Sequence, residues 1–329
     1  MIRILCLTIL VSFSHINLNF AQENLEPVEL SNNLYSITNS GGGNIVFLIT
    51  KKGVVVVDAG GSPGNAQNII QAIKSKTDSP IKYLIYTHSH RDHIYGVSEF
   101  PDDIKIIAHQ NIVDNLKNYT EPGLKNSLEN TIPEYLEGLK SQIENESQEN
   151  SDDLEKVKQQ YNLYSNYLKD LKKVKIRYPD ITFTDSYKLK LKNERIFLEY
   201  PGPGHTNDNI VVKFSNHNVI HTGDLIFNGS VPYVITDHGA NVENWINIVD
   251  DLYIENIKTV VPGHGEITDK EVFKDQANYF RKLTYRVEAL KNAGFTVNEI
   301  KEKIDFEAYK MIDGGNQFPV NIEVIYNEL

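Results

Sequence analysis

Apolar runs that end in a glycine turn and then a histidine or aspartate recur along this chain, and they constrain its fold more than any other feature. Phe197-Leu-Glu-Tyr-Pro-Gly-Pro-Gly-His205, Val219-Ile-His-Thr-Gly-Asp224 and Val260-Val-Pro-Gly-His264 each read as strand, turn and polar side chain. Glycine tolerates the backbone angles needed to turn a strand end toward a common point. An earlier run, Lys82-Tyr-Leu-Ile-Tyr-Thr87, follows Ser79-Pro80 and ends in Thr87-His-Ser-His-Arg-Asp-His93. The pattern predicts buried strands whose ends converge, with imidazoles and carboxylates at the meeting point.

Imidazole and carboxylate are the ligands that a borderline metal such as zinc prefers. His88 and His90 lie two apart in an extended stretch, so their side chains point the same way and one metal could take both. Asp92 and His93 follow as the chain curls toward a helix. They would face a second metal about 3.5–4 Å away, the usual spacing of paired hydrolytic metals. His205, Asp224 and His264 complete the candidate ligands. His109, His217, His221 and His238 lack this strand-end context and read as ordinary residues, with His238 the best placed of them to line the pocket.

In this order the seven residues make the chain resemble the metallo-β-lactamase-fold hydrolases, over about Val28 to Thr268. The resemblance implies an α/β fold, a four-layer αβ/βα sandwich, here with an inserted helical hairpin. It implies two zinc ions per chain. His88, His90 and His205 would hold the first, Asp92, His93 and His264 the second, and Asp224 would bridge them. Asp58, in Val54-Val-Val-Val-Asp58, matches the family's early aspartate and would orient a ligand histidine.

Zinc lowers the pKa of bound water toward about 7, so the expected nucleophile is a zinc-bound hydroxide attacking an acyl carbonyl in an amide, lactone or thioester. Asp92 would hold the hydroxide's proton, and Tyr233 would donate to the developing oxyanion. Pro201-Gly-Pro-Gly-His-Thr-Asn-Asp-Asn209 closely resembles the matching stretch of true metallo-β-lactamases, which makes β-lactam hydrolysis the alternative. Two departures weigh against it. Well-known lactamases carry cysteine where Asp224 stands and, three positions on, a lysine where Phe227 stands. A diiron redox enzyme is disfavoured because such relatives put glutamate at the place of His90. A catalytically silent binding protein fits poorly with an intact ligand set.

The chain has 329 residues, 40% of them hydrophobic, enough for one sizeable core, and no linker divides it. Its net charge of −11, without a basic stripe, argues against nucleic acid and favours a small-molecule substrate. Met1-Ile-Arg3, the apolar run Ile4 to Phe13 and Phe20-Ala21 read as a secretory signal over residues 1–21, leaving a hydrolase domain at 22–329. Cys6 lies within that signal, so disulfides and thiolate ligands are excluded from the mature chain. No further stretch suits a membrane span, and a periplasmic or secreted protein is expected. Oligomeric state is left open.

A helix is expected from Pro63 to Lys76, another from Asp269 to Asn292, a short one from Val297 to Lys303, and Trp245 falls on a helix as a core residue. The turn Gly41-Gly-Gly-Asn44 reads either as a flap over substrate or as a plain flexible turn. Residues 110–176 depart from the compact pattern. A helix from about Leu124 to Ile143, the polar run Glu144 to Asp153 and a seam of Leu154, Val157, Tyr161, Tyr164, Leu168 and Leu171 predict a helical hairpin. Its role reads as structural, as a substrate lid or as a dimer contact.

Overall fold

The computed structural model describes residues 25–38, 40–145 and 151–329. The expected signal segment, with Cys6, lies outside the described residues. Among the described residues, twelve strands form two sheets. The first holds β1 (Val28–Ser31), β2 (Leu34–Ile37), β3 (Ile45–Thr50), β4 (Gly53–Val57), β5 (Ile81–Ile85), β6 (Lys105–His109) and β7 (Ile181–Phe183), side by side in that order. The second holds β8 (Ser186–Leu191), β9 (Glu194–Glu199), β10 (Val211–Phe214), β11 (Val219–His221) and β12 (Thr259–Val261).

Strand β4 shows why the layers form. Val54 and Val56 face a core shared with helices on the outer side of the first sheet, including Ile69 and Ile73 of helix Pro63–Lys76. Val55 and Val57 face the other way, into a core between the two sheets with Leu198, Val212 and Val261. A strand covered on both faces must be apolar throughout rather than alternating, and burying each such side chain stabilises the fold by about 1.5–3 kcal/mol. The outer face of the second sheet is covered by helices Val242–Ile254, Glu271–Asn292 and Gln317–Glu328 around Trp245, Phe273 and Phe280. The order is therefore helix, sheet, sheet, helix, the expected four-layer α/β sandwich.

The helix Pro63–Lys76 has the expected bounds, with Ser62 accepting from the Asn65 N–H as its cap and Pro63 at its first position. The helix Val297–Lys303 also has the expected bounds and opens on a capping box between Thr296 and Glu299. The inserted region differs from its sequence reading. Helical backbone begins at Ile112, well before Leu124, and runs through residues 112–145 despite Pro122 and Pro133. Two π turns, Leu116–Thr120 and Ser127–Thr131, make this possible, each ending two residues before a proline. The Glu121 N–H reaches back to Leu116 O and the Ile132 N–H to Ser127 O, five residues each. The wider turn absorbs the missing donor and the ring clash that would otherwise break the helix.

The second inserted helix, Ser151–Leu171, packs on the first, with the Tyr135 and Tyr164 rings 4.6 Å apart. Tyr164, Tyr167 and Leu171 bury into the outer core of the first sheet. Tyr167, outside the expected seam, is buried there too, and Leu168 of the seam packs half-buried against the same core. No helix among the described residues is long and apolar enough to cross a membrane.

Candidate metal centre

The site lies where strand ends of both sheets meet. Strands β4 and β5 are parallel, so Asp58 and the His88–His93 loop leave the first sheet at the same end. Strands β11 and β12 are also parallel and deliver Asp224 and His264 from the second. His205 comes from the connection between β9 and β10. Open α/β sheets commonly bind ligands beyond the carboxyl ends of their parallel strands.

Two groups of donor atoms result: His88, His90, His205 and Asp224, and Asp92, His93, Asp224 and His264. All seven residues expected from the sequence are present, and Asp224 belongs to both groups. In the first, His90 Nδ1 is 2.9 Å from His205 Nε2, and Asp224 Oδ2 is 3.4 Å from His205 Nε2 and 3.8 Å from His88 Nε2. In the second, His93 Nε2 is 3.1 Å from Asp224 Oδ1 and 3.5 Å from Asp92 Oδ2, while His264 Nε2 is 3.1 Å from Asp92 Oδ2. Donors about 2.0–2.1 Å from a tetrahedral ion stand roughly 3.3 Å apart, so both groups have the size of an ion's coordination shell. Buried polar atoms normally find partners, yet His88 Nε2, His93 Nε2 and Asp224 Oδ1 make no hydrogen bond. The residues fit two metal ions.

The remaining ring nitrogens of four histidines are held. His93 Nδ1 lies 2.7 Å from Asp58 Oδ2, and Thr87 donates to both Asp58 oxygens at 2.8 Å through its N–H and its hydroxyl. The Thr87 hydroxyl lies 3.0 Å from His88 Nδ1. His205 Nδ1 lies 2.8 Å from the Tyr233 carbonyl oxygen, and His90 Nε2 lies 2.7 Å from His238 Nδ1. Asp58 thus holds the ring of His93, the contact expected of a residue that would orient it. The contact of His238 with His90 was not visible in the sequence, where nothing links positions so far apart.

Burial pushes His88 and His90 well below the ordinary histidine range, and pushes His205 down to about 4. Burial also opposes protonation of His264, but Asp224 and Asp92 overcome it and lift that group to about 10. Burial works against the charge of Asp92, yet His93 and His264 hold its carboxyl well below the usual range. Without a metal the second group therefore stores positive charge against two carboxylates. In the first group His88, His205 and Asp224 are buried and His90 is half-buried, whereas in the second the side chains of Asp92 and His264 are 33% and 31% exposed, so two of its four ligand candidates face the open side.

The turn at Gly41 to Asn44 packs against the loop that carries Asp92 and His93. The Gly43 N–H donates to Asp92 O at 3.0 Å, and the Asn44 side-chain amide donates to the carbonyls of Pro262 and Gly265. Any side chain at Gly43 would collide with the His93 ring, so glycine is required by close approach. These contacts pin the turn in place, so it is not the loose turn of the second reading. Phe227 stacks on His264, their ring centres 5.3 Å apart, and also neighbours the Tyr233 ring at 5.8 Å. Trp245 is fully buried as expected and also touches a ligand, its ring 5.5 Å from His205. Asp208, which the sequence reading passed over, is buried beside the ligand loops, and burial pushes its carboxyl up against contacts from Thr206, Ser89 and Asn115.

His221 is buried and structural, with Nε2 on Asn44 O at 2.9 Å. His109 stacks on Tyr200, and His217 meets Ser31 and Glu194. None of these three belongs to either donor group.

A fold of this kind carrying two adjoining histidine and aspartate groups defines a metal-dependent hydrolase. A family model described as the metallo-beta-lactamase superfamily matches residues 38–264, and the chain belongs to that superfamily. It is similar to a metallo-beta-lactamase type 2 of Bacillus cereus, 26% identical over 69% of this chain and 68% of that protein. It is also similar to a linear primary-alkylsulfatase of a Pseudomonas strain, 24% identical over 77% of this chain and 48% of that protein. Among solved structures, a stereoselective inverting sec-alkylsulfatase from Pseudomonas superposes with a TM-score of 0.67 at 16% identity, covering 92% of this chain and 50% of the other. The chain thus spans about half the length of the alkylsulfatases it matches.

Proposed function

We propose that this chain is an exported hydrolase that binds two zinc ions through His88, His90, Asp92, His93, His205, Asp224 and His264 and adds water at the acyl carbonyl of a small-molecule amide, lactone or thioester, breaking the bond from that carbon to the leaving nitrogen, oxygen or sulfur. The carrying observation is the pair of donor groups sharing Asp224, whose buried donor atoms include His88 Nε2 without a hydrogen bond. When bound, zinc supplies a Lewis acid and a water activated near neutral pH.

The chain's own residues then have distinct tasks. Asp92 keeps an ionised carboxylate on the open side, held by His93 and His264, where it takes or orients a proton of the attacking water. Burial raises the Tyr233 phenol, so it stays a donor at neutral pH and suits a developing oxyanion. Phe227 and its stack on His264 shield one wall of the reacting region from water. Export is supported by the charged start and short apolar run before Ala21.

β-Lactam hydrolysis is the nearest alternative, supported by the likeness to the Bacillus cereus enzyme and weakened by Phe227 at the place where a carboxylate-anchoring lysine is expected. Hydrolysis of an alkyl sulfate is a second reading, favoured by the alkylsulfatase likeness over 77% of the chain. The test is turnover by the zinc-loaded protein of β-lactams, lactones, thioesters, alkyl sulfates and phosphodiesters. Hydrolysis of a lactone, thioester or β-lactam is expected. Turnover confined to sulfates would select the second reading, and turnover confined to phosphodiesters would refute both.

A further inference from the structure

His238 belongs to neither donor group, yet it touches the first. Its Nδ1 lies 2.7 Å from Nε2 of His90, whose other ring nitrogen faces His205 Nε2 at 2.9 Å. A neutral imidazole has one N–H and one lone pair. For His90 to offer the Nδ1 lone pair to a metal, its Nε2 must carry the hydrogen, and His238 Nδ1 is the acceptor in place to receive it. That bond fixes both the tautomer and the ring angle of His90.

His238 is itself held by the start of the helical insertion. The Tyr119 ring lies against it at 4.6 Å. The Asn207 N–H donates to His238 O at 3.0 Å, and Asn207 is gripped by the Asn111 and Asn115 side chains, which donate to its backbone and side-chain oxygens at 2.7 and 2.8 Å. The same stretch reaches the ligand loop directly, since the Thr120 hydroxyl donates at 2.9 Å to the carbonyl of Ser89, between His88 and His90. Tyr119 and Thr120 both sit on the π turn Leu116–Thr120. Such turns often mark functional positions because they re-aim side chains within a helix.

We propose that His238 is a positioning residue for the first metal, and that the opening of the helical insertion braces it through Asn111, Asn115 and Tyr119. This rests on His90 being a ligand. The insertion then serves to stiffen one metal position, beyond packing on the outer core.

The test uses the full chain titrated with Co(II), followed by visible absorption and by chelator competition, with circular dichroism as the check on folding. His238→Ala is expected to weaken one of two cobalt ions by about ten- to a hundredfold and shift its bands, leaving the other unchanged. His238→Asn, whose Oδ1 can accept the same hydrogen, is expected to restore most of that affinity. Asn115→Ala is expected to cause a smaller loss at the same ion. Wild-type affinities and bands in His238→Ala would overturn the proposal, as would equal weakening of both ions or failure of His238→Asn to rescue. A wild-type chain that takes up no cobalt would overturn the ligand reading of His90 itself, and this inference with it.

Discussion

Asp58 accepts from His93 Nδ1 at 2.7 Å while holding a left-handed backbone, φ 65°. Few residues other than glycine adopt that conformation without cost, and asparagine and aspartate do so best. The fold accepts the strain at the end of β4 because the carboxylate there aims His93 directly and His88 through Thr87.

Asp58→Asn therefore isolates the carboxylate from the backbone, since asparagine suits the same φ. Metal affinity is expected to fall by about ten- to a hundredfold with circular dichroism unchanged. Chelator competition measures it, and wild-type affinity would show that Asp58 serves only the fold.

Asp92→Asn keeps the shape of the open side but removes the ionised oxygen that His264 and His93 face. Hydrolysis of whichever substrate the panel finds is expected to drop by about 10²–10⁴-fold while the protein stays folded. An unchanged rate would remove Asp92 from the chemistry.

Metal uptake should release protons. His264 is raised to about 10, so in the metal-free chain it is protonated at every pH below that value and must give up its proton to become a ligand. Affinity at the second group should consequently rise with pH up to about 10. Calorimetry of zinc binding near pH 7, repeated in buffers of different ionisation heat, is expected to show net release, and an identical heat in all buffers would contradict it.

Trp245 donates from its indole nitrogen to the Leu225 carbonyl at 2.8 Å and is fully buried. Trp245→Phe leaves that carbonyl without its donor and is expected to cost about 1–3 kcal/mol, read as a lower thermal midpoint. Because the Trp245 ring also supports His205, the loss should be larger in the zinc-loaded protein than in the metal-free one. Equal losses would mean that the ring does not support the ligand.

What the sequence revealed was local. The ligands sit at the ends of strands that are apolar on both faces, so runs such as Val54 to Val57 and the residues after them carry the signal in consecutive positions. The helix through Pro122 was hidden, because a proline reads as a stop unless a π turn precedes it, and π turns leave no simple pattern. The tucked glycine turn and the His238 contact depend on which distant loops meet, a matter of topology rather than of spacing. The strand-end motifs point to the candidate ligands more directly than to the substrate for the same reason: under the proposed function the substrate would meet the surroundings of Tyr119, Phe227 and Tyr233, which those motifs do not encode.

The central claim is that seven residues from four strand connections hold two metal ions. Metal analysis of the purified full chain tests it most directly, by elemental mass spectrometry alongside an Asp224→Ala variant. The account predicts about two zinc ions per chain in the wild type and loss of both from the variant, since Asp224 belongs to both groups. Stoichiometric iron without zinc, or a wild type that carries no metal after zinc loading and desalting, would contradict it.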